Sequence, residues 1–201
     1  MSNHPHRRGR RTPSAVEAEL ERARLATCEC PECTGEPREV FLQNLLETVL
    51  EDSFTIVGNW TAIGPMRLWG HTIGLGRWLG LPELVVTGSE QVECVWLIGS
   101  VLHQLLGGMG AGVGRDARHR IDAGDHHHVV CLLAVDHELA VGPRLLRAAH
   151  ELAAELGSPH GAVQVVLADA AGRMPWEPGC LEPDRQVLLD APPQSVRERF
   201  A

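Results

Sequence analysis

The stretch that most constrains the fold is residues 69–88, which read WGHTIGLGRWLGLPELVVTG. Two short extended runs, residues 68–75 and residues 83–87, flank a turn that is rich in glycine. Glycine permits backbone angles and close approaches that a side chain would block. The continuous apolar run of residues 84–86 is typical of a strand that is buried on both faces. We therefore expect two neighbouring strands, joined by this turn, at the centre of the fold.

Helix and strand patterns lie on both sides of this stretch. The spacing of Leu42, Leu45 and Val49 is that of a helix with one face towards the core. Ser89 stands where a helix N-cap is favoured. Helices are predicted over residues 36–52, 90–106 and 143–156, and further strands over residues 54–60, 127–135 and 162–168. This order predicts an α+β fold, with helices packed on a mixed or antiparallel sheet.

The same elements predict a single compact domain over residues 28–180. Residues 1–12 hold four arginines and no acid, so we expect a disordered basic tail there. Residues 13–27 are predicted to form an N-terminal helical extension, because they contain the S-x-x-E pattern of a capping box. Residues 181–201 are expected to form a C-terminal tail.

The composition excludes several kinds of chemistry. The chain has 201 residues and a net charge of −8, and nucleic acid is an unlikely partner because phosphates bind clustered cations. All 18 basic residues are arginines, which excludes a Schiff base and a P-loop lysine. The chain has no tyrosine, so no phenol serves as an acid or a base.

The sequence also predicts the compartment. The six cysteines, three clustered and three scattered, do not resemble the disulfide framework of a secreted protein. There is no apolar signal-peptide core, and no uncharged apolar run reaches the roughly 18–20 residues of a membrane span. We expect a cytoplasmic protein with no membrane contact, and the arginine-only basicity is typical of a bacterium with a GC-rich genome.

The cysteine cluster is a candidate zinc site. Cys28, Cys30 and Cys33 lie within the run CECPEC. A Cys-x-x-Cys pair can place two thiolates on one tetrahedral zinc ion, and the additional cysteine can supply a third. The fourth ligand would come from Cys180 or from residues 126–128. Two alternatives stay open, namely a redox dithiol and plain loop cysteines without a ligand.

A second candidate metal site lies at the start of a predicted strand, where residues 125–128 read DHHH. Alternation along a strand puts His126 and His128 on one face, where they can bind a metal together with Asp122 or Asp125. The alternative is a solvated strand entry beside a polar loop.

His71 and Glu83 are titratable side chains within the central stretch. If their strands are neighbours, the imidazole and the carboxylate can form a buried acid–base pair. His103 shares a helical stripe with Gly99 and Leu106, so it is expected to face the same region. The alternative is that these side chains only satisfy buried polar groups.

Three motifs indicate a family. Residues 71–75 read HTIGL, residues 81–88 read LPELVVTG, and residues 165–176 read VVLADAAGRMPW. Together they resemble a bacterial domain of unknown function, number four-two-six-two, across residues 28–179. Members typically read aromatic-T-I-G-L and then H-P-E-L-V-V, whereas this chain has a histidine before T-I-G-L and a leucine before P-E-L. The resemblance implies the fold and the limits of the domain, and it carries no activity.

Functions from different classes remain open at this point. The first is a non-catalytic binding or accessory module for a protein or small-molecule ligand, with a Cys-rich loop that can bind zinc. The alternative is a small metal-dependent or acid–base enzyme that uses His71, Glu83 and the His126–His128 region. A third is partner docking by the helical extension and the basic tail. The sequence leaves the oligomeric state undetermined.

Overall fold

The computed structural model of the chain describes residues 35–59, 68–108, 112–123, 126–136, 146–158 and 161–190. Four helices lie within these ranges, namely α1 (Arg38–Asp52), α2 (Leu75–Leu79), α3 (Gln91–Leu106) and α4 (Arg147–Leu156). The six strands of the same ranges are β1 (Thr55–Asn59), β2 (Trp69–Ile73), β3 (Glu83–Thr87), β4 (Arg118–Ala123), β5 (His126–Ala134) and β6 (Ala162–Leu167). The predicted helical extension over residues 13–27 lies outside the described residues.

The strands form one mixed sheet in the order β1-β2-β3-β6-β5-β4. Strands β3 and β6 pair in parallel, and the four other pairs of neighbours are antiparallel. The parallel pair lies in the middle of the sheet, where it joins an N-terminal half to a C-terminal half. The prediction of an α+β fold with helices on a mixed sheet is confirmed.

The two strands of the central stretch are neighbours, as the sequence predicts. Strand β2 runs antiparallel to β3, with Trp69 opposite Thr87 and His71 opposite Val85. On its other side β2 pairs with β1, and Val57 lies opposite His71. All five residues of β3 are buried, which agrees with the apolar run of an interior strand.

Helix α3 covers one face of the sheet. Its apolar residues recur at helical spacing and meet the alternate residues of the strands, for example Leu84 and Val86 of β3 and Val130 and Leu132 of β5. The helix contributes Cys94, Leu97, Ile98, Val101 and Leu102 to this cluster. Burial of such side chains stabilises the fold by about 1.5–3 kcal/mol each, so this cluster is the main core.

The opposite face is covered by three separate segments. Helices α1 and α4 pack together near β2, where Val49, Leu152 and Ile73 belong to one buried cluster. Residues 185–190 cover the middle of this face, and Leu189 packs with Val85 there. The sequence predicts a tail after residue 180, whereas the burial of Gln186 and Leu189 makes residues 185–190 part of the folded body.

The structure differs locally from the sequence-based expectation at three places. The turn between β2 and β3 contains the short helix α2. The polar stretch before β5 contains β4, an edge strand whose alternate residues include Ile121. The N-cap of α3 is Glu90 rather than Ser89, and the Ser89 hydroxyl is buried without a hydrogen-bond partner. No helix within the described ranges is long and apolar enough to cross a membrane.

Candidate functional site

Glu83 lies at the start of β3 and is 8% exposed. Its carboxylate accepts hydrogen bonds from the Thr72 hydroxyl at 2.6 Å, from Gly74 N at 2.9 Å and from Gly76 N at 3.4 Å. Burial raises the pKa of Glu83, and these hydrogen bonds oppose that shift. Both carboxylate oxygens are therefore engaged inside the fold.

Two of these donors belong to the start of helix α2. The first backbone N–H groups of a helix have no partner within the helix, and a carboxylate is well suited to accept from them. Gly74 precedes the helix with φ of +111°. A Cβ atom at this position would come within 2.7 Å of both Ser53 O and Val49 Cγ1. Glycine is therefore required for the chain to turn from β2 into α2 beneath Glu83.

The Thr72 hydroxyl extends this arrangement to the next strand. It donates to Glu83 Oε2 and accepts from Leu84 N at 2.9 Å. Strand β2, helix α2 and strand β3 are thereby tied together by one threonine and one glutamate. We call residues 69–87 the β2–α2–β3 unit, and the hydrogen bonds of Glu83 hold its three elements in place.

The unit is also attached to two helices by the side chains of α2. Trp78 Nε1 donates to Val49 O at 3.1 Å, near the end of α1, and Arg77 Nη1 donates to Leu156 O at 2.8 Å, at the end of α4. The Arg77 guanidinium also lies 5.3 Å from the ring centroid of Trp78. The side chains of α2 thus connect the β2–α2–β3 unit to the ends of α1 and α4.

His71 is fully buried in β2. Its Nδ1 lies 3.4 Å from Val57 O, and its Nε2 has no hydrogen-bond partner. A carbonyl oxygen only accepts hydrogen bonds, so this contact assigns the proton to Nδ1. Burial lowers the pKa of His71 to about 3. The imidazole is therefore neutral at neutral pH, and its ring packs edge-on against Trp69 at a centroid distance of 5.4 Å.

The hydrogen bonds of His71 and Glu83 run in different directions. The residue opposite His71 is Val85, two positions along β3 from Glu83. The imidazole faces Val57 O of β1, whereas the carboxylate faces Thr72 and the start of α2. Within the described ranges no hydrogen bond joins the two side chains, although their strands are neighbours.

The structure places His103 apart from both side chains. It is exposed in the last turn of α3, although Gly99, one turn earlier in the same stripe, is buried. Helix α3 packs on the sheet face that carries Leu84 and Val86. His71 is on the other face, with its cross-strand neighbour Val85.

The histidines of β5 lie at the far side of the sheet. The ring of His128 packs against Trp96 of α3, at a centroid distance of 5.0 Å. His127 is exposed and pairs in register with Asp122. His126 is the first residue of β5, and its side chain lies outside the described part of the structure. Alternation along β5 places His128 with Val130 and Leu132 on the α3 face, as expected from the sequence.

The residues that the structure describes contain no group of three or more His, Cys, Asp or Glu side chains that could hold a metal ion. Cys28, Cys30 and Cys33 lie outside these residues, as does Asp125. Cys180 is a partly buried free thiol whose Sγ lies 3.8 Å from Arg173 O.

The motif of residues 165–176 has a structural basis in Asp169. Its carboxylate accepts hydrogen bonds from the backbone N–H groups of Ala171, Arg173 and Leu181, each at 2.9 Å. The hydrogen bonds from Arg173 and Leu181 lower the pKa of Asp169 to about 2. The aspartate thus closes the loop that follows β6, and Trp176 at the end of the motif packs against the guanidinium of Arg115.

A second set of buried polar residues was not expected from the sequence. Thr87, Gln164 and Gln186 are 0%, 0% and 2% exposed. They join β3 and β6 to residues 185–190 through a continuous set of hydrogen bonds. The signal in the sequence was the single glutamine in the apolar run AVQVVL of β6, because an interior strand rarely carries an amide without a partner.

The comparisons with known proteins gave one positive result. The family model described as Domain of unknown function (DUF4262) matches residues 56–181, more than half of the chain. Comparison with curated proteins and with solved structures returned no match. The matched range begins in β1 and ends before residues 185–190, so it contains the β2–α2–β3 unit and the loop that Asp169 closes.

Proposed function

Because this chain belongs to the DUF4262 family of domains of unknown function, we propose a function from the chemistry of its residues: it is a non-catalytic binding or accessory module. The observation that carries this proposal is the environment of Glu83. Its two oxygens accept from Thr72, Gly74 and Gly76, and the residue is buried. The carboxylate is thus held by donors inside the fold, whereas a catalytic base must come within hydrogen-bond reach of its substrate.

The environment of His71 supports the same proposal. The imidazole is fully buried between strands, and a general acid or base must come within hydrogen-bond reach of the substrate. Neutral, buried histidines commonly serve as packing groups that satisfy one backbone carbonyl. The histidine and the glutamate are then structural members of a scaffold whose ligand binds elsewhere on the domain.

The alternative is a small metal-dependent or acid–base enzyme that uses His71, Glu83 and the His126–His128 region. One observation favours it, namely the unpartnered Nε2 of His71. A lone pair on that atom could accept a proton if a local opening of the fold admitted substrate.

Complementation by conservative variants tests the two alternatives. In a strain of the source organism that lacks the native copy, full-length protein with Glu83→Gln or His71→Gln would be expressed at equal level. If the protein is a binding module, each variant that keeps its circular dichroism spectrum should restore the wild-type phenotype as well as the wild-type protein does. A folded variant that does not restore it would favour the enzyme. Glu155→Gln, at an exposed position of α4, is the matched control.

We also propose that Cys28, Cys30 and Cys33 bind one structural zinc ion as part of this module. Support comes from the donor set, since three thiolates at this spacing are a typical zinc ligand set that one further ligand completes. Elemental analysis of protein purified under reducing conditions should give one zinc per chain, and the triple Cys→Ser variant should give none. Wild-type protein without stoichiometric metal would contradict this part of the proposal.

A further inference from the structure

Residues 185–190, which read RQVLLD and which we call the C-terminal segment, contact the domain in the manner of a bound peptide. Opposite charges hold its two ends. Arg185 Nη2 donates to both carboxylate oxygens of Glu93 at 2.6 and 2.7 Å. Asp190 accepts from Arg115 Nε at 2.9 Å and from Arg115 Nη2 at 3.1 Å. The pair that Arg115 forms with Asp190 through two nitrogens fixes orientation as well as position.

Between these ends, the side chain of Gln186 enters the sheet. Its Oε1 accepts from Leu167 N at 2.8 Å, and its Nε2 donates to Thr87 O at 3.2 Å. These two backbone groups belong to the last residues of β6 and β3, beyond Val85 and Gln164, the last pair in register between the two parallel strands. The amide therefore satisfies polar groups that would otherwise be buried without partners.

Two side chains of the central strands form hydrogen bonds with the backbone of the segment. Val187 O accepts from Gln164 Nε2 at 2.7 Å and from Thr87 Oγ1 at 3.0 Å. Leu189 N donates to Gln164 Oε1 at 2.8 Å. One glutamine thus contacts an acceptor and a donor two residues apart, which is the pattern that an extended peptide presents.

An apolar contact completes the site. The side chain of Leu189 is fully buried and packs with Val85 and Leu146. Gly88 lets the segment approach closely, because a Cβ atom there would lie 1.9 Å from Arg185 O. From the start of the segment to its end, the receiving surface thus presents an acidic side chain, two polar ones, two apolar ones and a basic one. These are Glu93, Thr87 and Gln164, Val85 and Leu146, and Arg115.

The connection before the segment is exposed. Leu181 is 67% exposed, and residues 182–185 are also exposed. The family match ends at residue 181, so the receiving surface lies largely inside the matched domain and the segment lies beyond it. Exchange of a terminal segment between identical chains needs only a connection that can adopt two paths.

We propose that the surface formed by Glu93, Thr87, Gln164 and Arg115 is a peptide-binding groove whose partner is the C-terminal segment of a second copy of this chain. In the isolated chain the groove is occupied in cis, and in the assembly two chains exchange their segments. The inference rests on the proposed function as a binding module and names its partner. Since the effective concentration in cis is about millimolar, the wild-type monomer is favoured at low protein concentration.

A charge exchange in the full-length chain tests the proposal. The segment variant carries Arg185→Glu with Asp190→Arg, and the groove variant carries Glu93→Arg with Arg115→Glu. In each variant alone the segment meets like charges at both ends of its own groove. When the two are mixed, each segment finds complementary charges only on the other chain. The fourfold variant restores complementarity in cis and is the matched control.

Native mass spectrometry and sedimentation of the mixture give the readout. We expect a heterodimer that is at least about tenfold tighter than either variant with itself, as a switch from repelling to attracting charge pairs implies. The fourfold variant should match wild type. Folded variants that form no heterodimer would overturn the inference. The charged side chains are all about 19–43% exposed, so reversal leaves the buried contact of Leu189 intact. Arg115→Glu also removes the contact of Arg115 with Trp176, and the fourfold variant shares this loss.

A second measurement keeps the test decisive if a reversed variant does not fold. A protease site is inserted after the exposed Pro183 in the full-length wild-type chain, and the purified protein is cut. A labelled peptide of residues 184–190 should then replace the cut segment, and the same peptide with both charges reversed should not. Absence of uptake would overturn the inference. Such a result would leave the complementation test of Glu83 and His71 unaffected, so the two proposals fail independently.

Discussion

The β2–α2–β3 unit and the joint between β6 and the C-terminal segment use the same device over very different sequence distances. In the first, the side-chain hydrogen bonds of Glu83 span 7–11 residues. In the second, those from Gln164 and Gln186 to Thr87 span 77 and 99 residues. In both places a buried polar side chain satisfies backbone groups at the end of a strand. Hydrogen bonds between nearby residues are visible in the sequence as a motif. Those between distant residues are visible only as isolated polar residues.

The two regions also differ in charge. The unit contains Glu83 and His71, whose protonation changes with pH, and burial shifts both pKa values. The buried hydrogen bonds of the joint come from the amides of Gln164 and Gln186 and the hydroxyl of Thr87, which do not titrate. The buried hydrogen bonds of the unit should therefore respond to pH, whereas those of Gln164, Gln186 and Thr87 should not.

Loss of the carboxylate should give the largest effect. Glu83→Ala leaves the Thr72 hydroxyl and the N–H groups of Gly74 and Gly76 without their acceptor. We expect a decrease of about 4 kcal/mol in the free energy of unfolding, measured by urea denaturation at pH 7. The exposed Glu155→Ala should stay within about 0.5 kcal/mol of wild type. A decrease for Glu83→Ala as small as that of the control would contradict the role of Glu83 as a brace.

The pH dependence of stability should sharpen the contrast in charge. The pKa of His71 is about 3 in the folded state and 6.5 as the ordinary value. Between these values the unfolded chain binds more protons than the folded one, so the contribution of His71 to stability falls as pH falls. From pH 6.5 to 4.5, wild type should lose about 2 kcal/mol more than His71→Gln. Parallel curves for the two proteins, from urea denaturation at each pH, would exclude this burial effect.

The opposite sign is expected for Glu83. Its pKa is raised in the folded state from 4.5, so the folded chain binds more protons above pH 4.5, and this contribution declines as pH rises through the folded pKa. The profile of Glu83→Gln relative to wild type should therefore slope the other way from that of His71→Gln. The same sign of slope for both variants would be inconsistent with these environments.

The amide of the joint should matter less than the carboxylate of the unit. Gln186→Ala removes one acceptor and one donor, which leaves Leu167 N and Thr87 O without partners. We expect a loss of about 2 kcal/mol, with no change in the pH profile. Glu182→Ala, at an exposed position, is the control, and it removes a long contact to Arg185 of 3.6 Å. A pH-dependent loss for Gln186→Ala would break the distinction between the two regions.

The smallest expected effect is the coupling free energy between pairs of substituted residues. Gln164 Nε2 donates to Thr87 Oγ1 at 2.9 Å, so Gln164→Leu and Thr87→Val should be non-additive by about 1 kcal/mol in a double-mutant cycle. Gln164→Leu and Glu83→Gln share no hydrogen-bond partner and should add within about 0.5 kcal/mol. Equal coupling in the two cycles would show that the regions form one network.

The sequence predicted the structural features that depend on residues close together in the chain. The run of residues 83–87 is reproduced by β3, and the strand over residues 54–60 corresponds to β1. The family resemblance carried by residues 71–75, 81–88 and 165–176 is confirmed by the family match. Apolar periodicity and glycine-rich motifs arise from contacts within about ten residues, and these are visible in one sequence.

The features that were not predicted depend on contacts between residues that are far apart in the sequence. The partners of Gln164 could not be named from the sequence, because they lie on β3 and in the C-terminal segment. Strand β4 was not predicted, because its sequence RHRIDA has a polar pattern in which Ile121 is buried. The relation of His71 to Glu83 required the register, since neighbouring strands alone do not decide which side chains meet.

The parallel pairing of β3 with β6 has a consequence for synthesis. A ribosome releases the chain from its amino end, so the C-terminal segment emerges after every other described element. Until then, the amide of Gln164 and the hydroxyl of Thr87 lack Val187 O, the acceptor in the segment that both contact in the finished fold. A nascent chain therefore meets the cellular folding machinery with the contacts between β3, β6 and residues 185–190 still unmade, and the emergence of these residues completes them.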